Sequence, residues 1–314
     1  MQIHRMSRAA MVEAGDWSSD TICEDTDLGL SIVERGWKSH YTNVRYGWGL
    51  LPDDFASFKK QRHRWAYGGM QIIKKHWRRM LPNGGTRLTT AQRREFSIGW
   101  VSWLGAESIG ALVAILSLLW APVVFALGIA VPQRILTIPI VFCFGIYVLH
   151  FCALYRLRVA TTPLRMIGAA FAAMAVQFTV AKAVFDGFRY KDLAFARTAK
   201  GSWLSGAARA FPALPEAVIG GGLLLSAIAL RMTNWHAVVE VDLFALALAI
   251  QALPFLAAAF IGWLEGSKYN EFATWTALRS RAAALLPGRA AQPLPVGVTV
   301  NRSAGELPPA GPQM

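Results

Sequence analysis

Long apolar runs, separated by short basic segments, dominate the pattern of hydrophobic and polar positions along this chain. Five of these runs are nearly free of charge: 111–131, 135–155, 167–185, 217–230 and 243–264. A helix that crosses a bilayer needs about 17–25 mostly apolar residues. The pattern therefore predicts a membrane helix bundle, with spans near 108–130, 135–155, 214–232 and 242–264.

The remaining run, 163–188, is ambiguous because it contains Gln177, Lys182 and Asp186. Lys and Arg collect in the cytoplasmic loops of membrane proteins. If this run lies along the cytosolic interface, the basic clusters on both sides of it share the side of residues 1–95. The charge pattern thus favours an interfacial helix, four spans, and both termini in the cytoplasm. The location predicted for the chain is the cell's inner (plasma) membrane.

The segment before the first span alternates polar and aromatic positions. The elements predicted there are helices over 7–14, 24–35 and 92–105 and a strand over 37–44. A longer helix begins at Asp53 or Asp54 and runs to about Arg79, with basic and aromatic residues on different faces. Such a helix would lie at a membrane interface, and the 92–105 helix would lead from the interface into the first span.

Composition divides the chain into residues 1–95, 96–268 and 269–314. Hydrophobic residues make up 54% of the chain and charged residues 16%, whereas soluble domains carry about 25% charged residues. The last region is rich in Pro, Gly and Ala and is predicted to be a largely disordered cytosolic tail. The predicted fold class is mainly α, a membrane bundle of about four spans with interfacial helices.

The formal net charge of +13 indicates an excess of Lys and Arg that needs an explanation. Basic cytoplasmic loops and an anionic donor such as a nucleotide-sugar account for it, and the bilayer itself is a partner. No basic stretch lies on a nucleic-acid-binding module, so no nucleic-acid partner is predicted. The three cysteines have no spacing that suggests a disulfide framework or a metal site.

Two groups of polar residues in the first region could carry chemistry. Glu24 and Asp25 begin a predicted helix, where the helix dipole favours a carboxylate that can accept a proton; on this feature alone, a simple acidic cap explains them better than catalysis does. Gln61, Arg64 and Trp65 share one face of the basic helix. A guanidinium binds phosphate oxygens and an indole offers a flat surface to a sugar ring, but a solvated or lipid-facing basic helix has the same pattern.

A third group, Phe195, Thr198 and Lys200, lies in a basic loop near 190–202 and is a weak signal by itself. Together the three groups are more specific. A Glu-Asp pair, a Gln-x-x-Arg-Trp motif that begins 36 residues after Asp25, apolar segments and then Phe-x-x-Thr-x-Lys-Gly follow one another. Over residues 1 to about 265 this order resembles the cellulose-synthase-like processive family-2 glycosyltransferases.

The resemblance implies roles for these residues. Asp25 matches the general base that deprotonates the acceptor hydroxyl, and Glu24 is its neighbour in the motif; Cys23 stands where the family has threonine. The matches to the motif that holds the acceptor end and the donor diphosphate are Gln61, Arg64 and Trp65. Those to the gating loop, which closes over the nucleotide, are Phe195, Thr198 and Lys200.

The resemblance also implies a reaction, the inverting transfer of a sugar from a nucleotide-sugar, with UDP-glucose as the expected donor, to a growing polysaccharide that is exported. The family uses a divalent metal, Mg²⁺ or Mn²⁺, held by an Asp-x-Asp motif. Here Asp25 and Asp27 belong to the Glu-Asp motif, so no metal ligands are assigned to this chain.

We therefore expect residues 1–95 to be the C-terminal remnant of an α/β glycosyltransferase A-type domain. An upstream polypeptide would supply the nucleotide-binding half, and the chain alone would be inactive. Two alternatives stay open. The first is a non-processive glycosyltransferase that makes a glycolipid, and the second is a membrane transporter or scaffold without enzymatic activity.

Overall fold

A computed structural model describes residues 7–40, 52, 54–127, 132–159, 161–191 and 211–266. The chain divides into two units, 1–268 and 269–314, and every described residue belongs to the first. The helices of these ranges are α1 Arg8–Ala14, α2 Glu24–Glu34, α3 Phe55–Met80, α4 Thr90–Leu127, α5 Arg134–Arg158, α6 Pro163–Met174, α7 Gln177–Arg189, α8 Leu214–Thr233 and α9 Val239–Gly266. The predicted tail, and the predicted gating loop after Lys191, lie outside the described residues.

Local signals set the ends of the first three helices, as predicted. Gly15 and Gly36 follow α1 and α2 with φ of +99° and +93°, a left-handed conformation that glycine adopts without a steric penalty. The Asp54 side chain accepts a hydrogen bond from the Ser57 backbone N–H at 2.6 Å and so caps α3. The strand predicted over 37–44 is not seen in residues 37–40, and its remainder lies outside the described ranges.

The helix α4 corrects one expectation. The interfacial helix predicted over 92–105 and the first predicted span form one continuous helix of 38 residues. It begins with a reciprocal cap, in which Thr89 N donates to Gln92 Oε1 at 2.9 Å and Gln92 N donates to Thr89 Oγ1 at 3.2 Å. Neither proline nor a turn interrupts the chain between the two predicted pieces, so their change in polarity does not break the helix.

Among the residues that the structure describes, five helical segments are long and apolar enough to cross a membrane, one more than the four predicted spans. The additional one is Pro163–Arg189. The structure divides it into α6 and α7 at a turn formed by Ala175 and Val176. Helix α7 packs against α3 and α4, whereas α6 packs against α9. That this segment lies along the interface stays a prediction.

The membrane bundle has its core between α4, α8 and α9, where small residues let the helices approach closely. At Gly220 a Cβ atom would lie 2.9 Å from Phe255 Cβ, so α8 and α9 pack closely at this position. The C-terminal end of α9 reaches α3, since Glu265 Oε1 accepts from the Phe55 backbone N–H at 2.6 Å.

A second core joins α3 to the membrane helices and thereby positions the candidate site. Its buried members are Ala66, Tyr67, Met70, Leu104, Val180 and Ala183. Two glycines permit this packing. A Cβ at Gly69 would lie 3.0 Å from a Trp100 ring atom of α4, and one at Gly187 of α7 would lie 2.7 Å from Met70 Cβ. The basic helix α3 is therefore part of the bundle and is covered by α4 and α7.

Candidate functional site

The structure brings the first and second predicted groups together, because the start of α2 lies against the middle of α3. The backbone N–H of Ile22 donates to Gln71 Oε1 at 2.9 Å, and the thiol of Cys23 lies 3.8 Å from the Arg64 carbonyl oxygen. A Cβ at Gly68 would lie 2.9 Å from Cys23 Cβ. The missing side chain at Gly68 is thus what allows α2 to begin this close to Arg64.

Asp25 is exposed in the first turn of α2. Its Oδ1 accepts hydrogen bonds from the Thr26 backbone N–H at 2.8 Å and from Thr26 Oγ1 at 3.3 Å. Its Oδ2 has no hydrogen bond within the described ranges. The neighbouring Glu24 is half-buried. A carboxylate held by a helix N-terminus, with one oxygen directed to solvent, can accept a proton from a substrate.

Cys23 lies close enough to Asp25 and to Arg64 for both charges to change the pKa of its thiol. Burial raises the pKa of its thiol to about 11; the negative charge of Asp25 raises it further and the positive charge of Arg64 lowers it. The thiol is therefore protonated at neutral pH and acts as a packing group. The charges of Asp25 and Arg64 both reach this one side chain, although the two residues are far apart in the sequence.

The face of α3 that carries the second predicted group is partly accessible. Gln61 and Arg64 are half-buried and Trp65 is 40% exposed. The guanidinium carbon of Arg62 lies 5.1 Å from the ring centroid of Trp65 and also 5.1 Å from that of Phe58. Burial lowers the pKa of Arg62. Sequence reasoning did not single out Arg62, which orients Trp65 through this cation–π contact.

A cavity of about 1040 Å³ opens beside Arg64, between α3 and the membrane helices. Its α3 wall consists of Lys59, Lys60, His63, Arg64 and Tyr67. The facing walls are mostly apolar and come from α4, α7 and the start of α8, with Leu112, Phe178 and Phe185 among them. This volume is at the upper end of small-molecule sites, and the cavity combines a cationic wall with apolar ones.

Two pairs that sequence reasoning missed connect this wall to the other helices. His63 Nε2 lies 2.8 Å from Asp186 Oδ2 of α7. Lys59 forms an ion pair with Glu216 of α8, and the side chain of Glu216 is 1% exposed. The sequence did contain a signal for both pairs, since Asp186 and Glu216 are lone carboxylates in or beside apolar segments. A carboxylate that is buried there needs a cationic or hydrogen-bonding partner.

The predicted gating-loop residues Phe195, Thr198 and Lys200 lie outside the described ranges. The structure does show how the chain enters that segment, because the hydroxyl of Tyr67 donates to the Lys191 carbonyl oxygen at 3.1 Å. Among the described residues no group of three His, Cys, Asp or Glu side chains could hold a metal ion.

Comparison with known proteins places these features in a family. The sequence model described as Glycosyl transferase family group 2 matches residues 4–179. Over 67 residues the chain is 39% identical to the probable glucomannan 4-beta-mannosyltransferase 11 of Arabidopsis thaliana, which covers 21% of this chain and 15% of that protein. Glucomannan 4-beta-mannosyltransferase 2 of the same plant is 39% identical over 67 residues, 21% of this chain and 12% of that protein.

A bacterial relative gives a similar result. Poly-beta-1,6-N-acetyl-D-glucosamine synthase of Staphylococcus aureus (strain COL) is 33% identical over 66 residues, which is 21% of this chain and 16% of that protein. The chain thus aligns with only 12–16% of the length of these relatives. No solved structure matches the chain.

Proposed function

This chain belongs to glycosyl transferase family group 2, whose model covers more than half of it, and we propose that it supplies the acceptor side of an inverting sugar transfer at the membrane. In this proposal a sugar passes from a nucleotide-sugar to a growing polysaccharide, and transfer is coupled to export. The observation that carries the proposal is that the exposed Asp25 carboxylate and Arg64 both act electrostatically on Cys23, whose thiol lies 3.8 Å from the Arg64 carbonyl oxygen.

Asp25 is the general base of the proposed reaction. Attack on the sugar requires removal of the proton from the acceptor hydroxyl, and the exposed Oδ2 can take that proton while Thr26 holds Oδ1. The new glycosidic bond forms between the acceptor oxygen and the sugar carbon, and the bond from that carbon to the nucleoside diphosphate breaks. Glu24, the neighbour of Asp25 in the motif, adds negative charge next to the base.

The residues on α3 bind the two substrates. Arg64 stabilises the negative charge that develops on the departing diphosphate. Gln61 and Trp65 hold the acceptor end, with the indole of Trp65 beneath the terminal sugar; its 40% exposure leaves the ring accessible. Phe195, Thr198 and Lys200 are proposed to close over the nucleotide, beginning from the segment that Tyr67 anchors at Lys191.

The donor half of the site is proposed to lie outside these 314 residues. The sequence has no Asp-x-Asp motif apart from Asp25 and Asp27. A further polypeptide would therefore contribute the nucleotide-binding half and the ligands of Mg²⁺ or Mn²⁺, which would supply charge neutralisation at the diphosphate. UDP-glucose is the proposed donor. The relatives are named for mannosyl and N-acetylglucosamine transfer, so these sugars are the ones to test beside glucose.

One observation favours a second candidate, a non-processive transfer that makes a glycolipid. The cavity beside Arg64 has largely apolar walls from α4 and α7 opposite its cationic wall. A lipid-linked acceptor could place its chain against the apolar walls and its anionic group near Lys60. The length of the product separates the two candidates, since a polysaccharide contains many sugars and a glycolipid of this kind one or two.

The test uses the chain in membrane vesicles together with the polypeptide that supplies the donor half. Transfer from radiolabelled nucleotide-sugars is measured for the native chain and for Asp25→Asn. Removal of a general base lowers rates by about 10²–10⁴-fold, so we expect kcat to fall within this range. The matched control is Asp16→Asn, because Asp16 is exposed with a φ of +56°, a conformation that asparagine tolerates. Transfer by Asp25→Asn at the control rate would contradict the proposed base.

A second measurement addresses the divided site. The purified 314-residue chain is incubated alone with UDP-glucose and Mg²⁺ or Mn²⁺, and release of UDP is followed. We expect no turnover because the proposed metal and nucleotide ligands are not in this chain. Robust turnover would show that the donor half is not needed from elsewhere.

A further inference from the structure

A buried network of charged side chains joins α2 to α3 at the end away from Arg64. Its centre is His76 of α3, whose Nε2 lies 2.7 Å from Asp27 Oδ1 and whose Nδ1 lies 2.8 Å from Glu34 Oε1. The second oxygen of each carboxylate binds another cation of α3. Asp27 Oδ2 lies 2.8 Å from Lys75 Nζ, and Glu34 Oε2 lies 3.0 Å from Arg79 Nη1.

The network is buried at its centre. His76, Asp27 and Glu34 are 1%, 2% and 4% exposed. A neutral imidazole has one N–H and could donate to only one of the two carboxylates. Both contacts are satisfied by an imidazolium, which donates from both nitrogens. Ion pairs buried to this degree add little net stability compared with apolar packing, but removal of one partner leaves an uncompensated charge. Their best-attested role is to fix the register of one element on another.

The geometry of α2 shows which register is fixed. Asp27 and Glu34 are seven residues apart, so they lie on one face of the helix about 10 Å apart along its axis. Two anchor points on one face prevent the helix from rotating or tilting on α3. Asp25 precedes Asp27 by two residues and therefore points to about the opposite side, which agrees with its exposure.

The two ends of this contact are of different kinds. At the start of α2, Cys23 and Ile22 lie on Gly68 and Gln71, held by packing, the Ile22–Gln71 hydrogen bond and the weak contact of the Cys23 thiol with the Arg64 carbonyl oxygen. At the other end the network supplies four contacts from three side chains of α3, Lys75, His76 and Arg79, which lie within five consecutive residues. The position of the first turn of α2, which carries Asp25, therefore depends on the network.

We propose that His76 is a positioning residue, which clamps Asp27 and Glu34 to α3 and thereby sets the Asp25 carboxylate at a fixed position relative to Arg64 and Trp65. The functional part of this inference rests on the proposed transferase function. The structural part does not, because it states only that loss of the clamp releases the start of α2 from α3.

The thiol of Cys23 reports on the clamp without any activity. It is partly buried against Gly68 and becomes accessible when the start of α2 leaves α3. The rate of maleimide labelling of Cys23 in the full chain is measured in detergent micelles, and peptide mass spectrometry separates it from Cys143 and Cys152. We expect His76→Gln to raise this rate at least about tenfold, because local opening exposes protected groups.

Two further variants make the labelling result specific. Asp27→Asn keeps the volume of the side chain and is expected to label faster in the same way, which also covers the case that His76→Gln fails to fold. Arg78→Gln is the matched control, because Arg78 lies on the same helix outside the network and its substitution also removes one positive charge. The clamp is overturned if His76→Gln and Asp27→Asn both retain their helical circular dichroism and are labelled no faster than Arg78→Gln.

The kinetic measurement tests the functional part in the vesicle assay described above. Displacement of the first turn of α2 moves the Asp25 base, whereas Gln61, Arg64 and Trp65 stay on α3 and keep both substrates bound. We therefore expect His76→Gln to lower kcat severalfold, per mole of folded protein measured by circular dichroism, while the KM values for the acceptor and the nucleotide-sugar stay unchanged. A mere loss of folded protein would leave kcat per mole of folded protein unchanged, and that result would overturn the positioning role. If the native chain shows no transfer in this vesicle assay, which includes the polypeptide with the donor half, the proposed function fails. The labelling rates of Cys23 then still decide whether the clamp exists.

Discussion

The ion pair between Lys59 and Glu216 allows the packing of α3 on α8 to be tested by a double-mutant cycle. The side chain of Glu216 is 1% exposed and that of Lys59 is 18% exposed. Lys59 also donates to the Pro212 carbonyl oxygen at 2.9 Å. The second carboxylate oxygen of Glu216 is buried and has no hydrogen-bond partner in the described part of the chain. The carboxylate therefore depends on Lys59 more than Lys59 depends on the carboxylate.

The expected free energies follow from this asymmetry. Loss of one partner of a buried ion pair costs about 3–5 kcal/mol. Lys59→Met leaves a fully buried carboxylate without a cation, so we expect a destabilisation in the upper part of this range. Glu216→Gln leaves an ammonium that reaches solvent and the Pro212 carbonyl, so we expect a cost at or below the lower end. In the double variant neither charge remains, and replacement of a buried pair is often neutral or stabilising.

The free energy of unfolding is measured by denaturant titration in detergent micelles, followed by circular dichroism, for the native chain, both single variants and the double variant. Arg94→Met, Glu95→Gln and their double variant form the control cycle, because that pair is 66% and 74% exposed. Exposed pairs contribute about 0–1 kcal/mol. Additive effects of Lys59→Met and Glu216→Gln, or a larger cost for Glu216→Gln, would refute the reasoning.

Three other perturbations have defined outcomes. Gly68→Ala should cost about 1–3 kcal/mol through overlap with Cys23, partly offset by about 1 kcal/mol of helix propensity. When Cys23→Gly is combined with Gly68→Ala, the overlap should disappear because the Cys23 side chain is gone, and glycine is tolerated at this N-cap position. Melting temperatures of the single and double variants test this. Burial raises the pKa of Glu34, but hydrogen bonds and charges from His76 and Arg79 outweigh it and lower the pKa. Its contribution to stability is therefore present above the unfolded value near 4.3 and is lost as the pH falls through the folded value, and Glu34→Gln should remove this part of the acid dependence measured by denaturant titration. Trp65→Phe should retain most acceptor affinity and Trp65→Ala should raise the acceptor KM about tenfold, if the ring binds the sugar by its flat face; equal KM values for both variants would contradict this.

Features that are set by neighbouring residues could be predicted from the sequence. Gly15, Gly36 and Asp54 determine helix ends through backbone conformation and a local hydrogen bond, so α1, α2 and α3 end within a residue or two of the predicted positions. The length of the apolar runs likewise predicted the helices α5, α8 and α9. Family membership was also predicted, because the order of short motifs is a property of the sequence alone.

Features that depend on distant partners could not be predicted. The apparent boundary between an interfacial helix and the first span is a change in surroundings, and the backbone of α4 continues through it. The partners of Lys59 and His63 are 157 and 123 residues away, and only packing identifies them. The network at His76 also escaped notice, since Asp27 and Glu34 resemble ordinary surface carboxylates of an amphipathic helix.

The charges of α3 have a different meaning in the structure than in the sequence. Their pattern suggests a basic face toward anionic lipid, but several of them bind groups of other elements. Lys59 contacts α8, His63 and Lys74 contact α7, and Lys75 and Arg79 contact α2. These side chains therefore connect the helix that carries the proposed base to the helices that line the cavity. Neutralising one of them should change the packing of its partner helix, whereas a lipid-facing cation such as an unpaired lysine would change only the affinity for anionic vesicles.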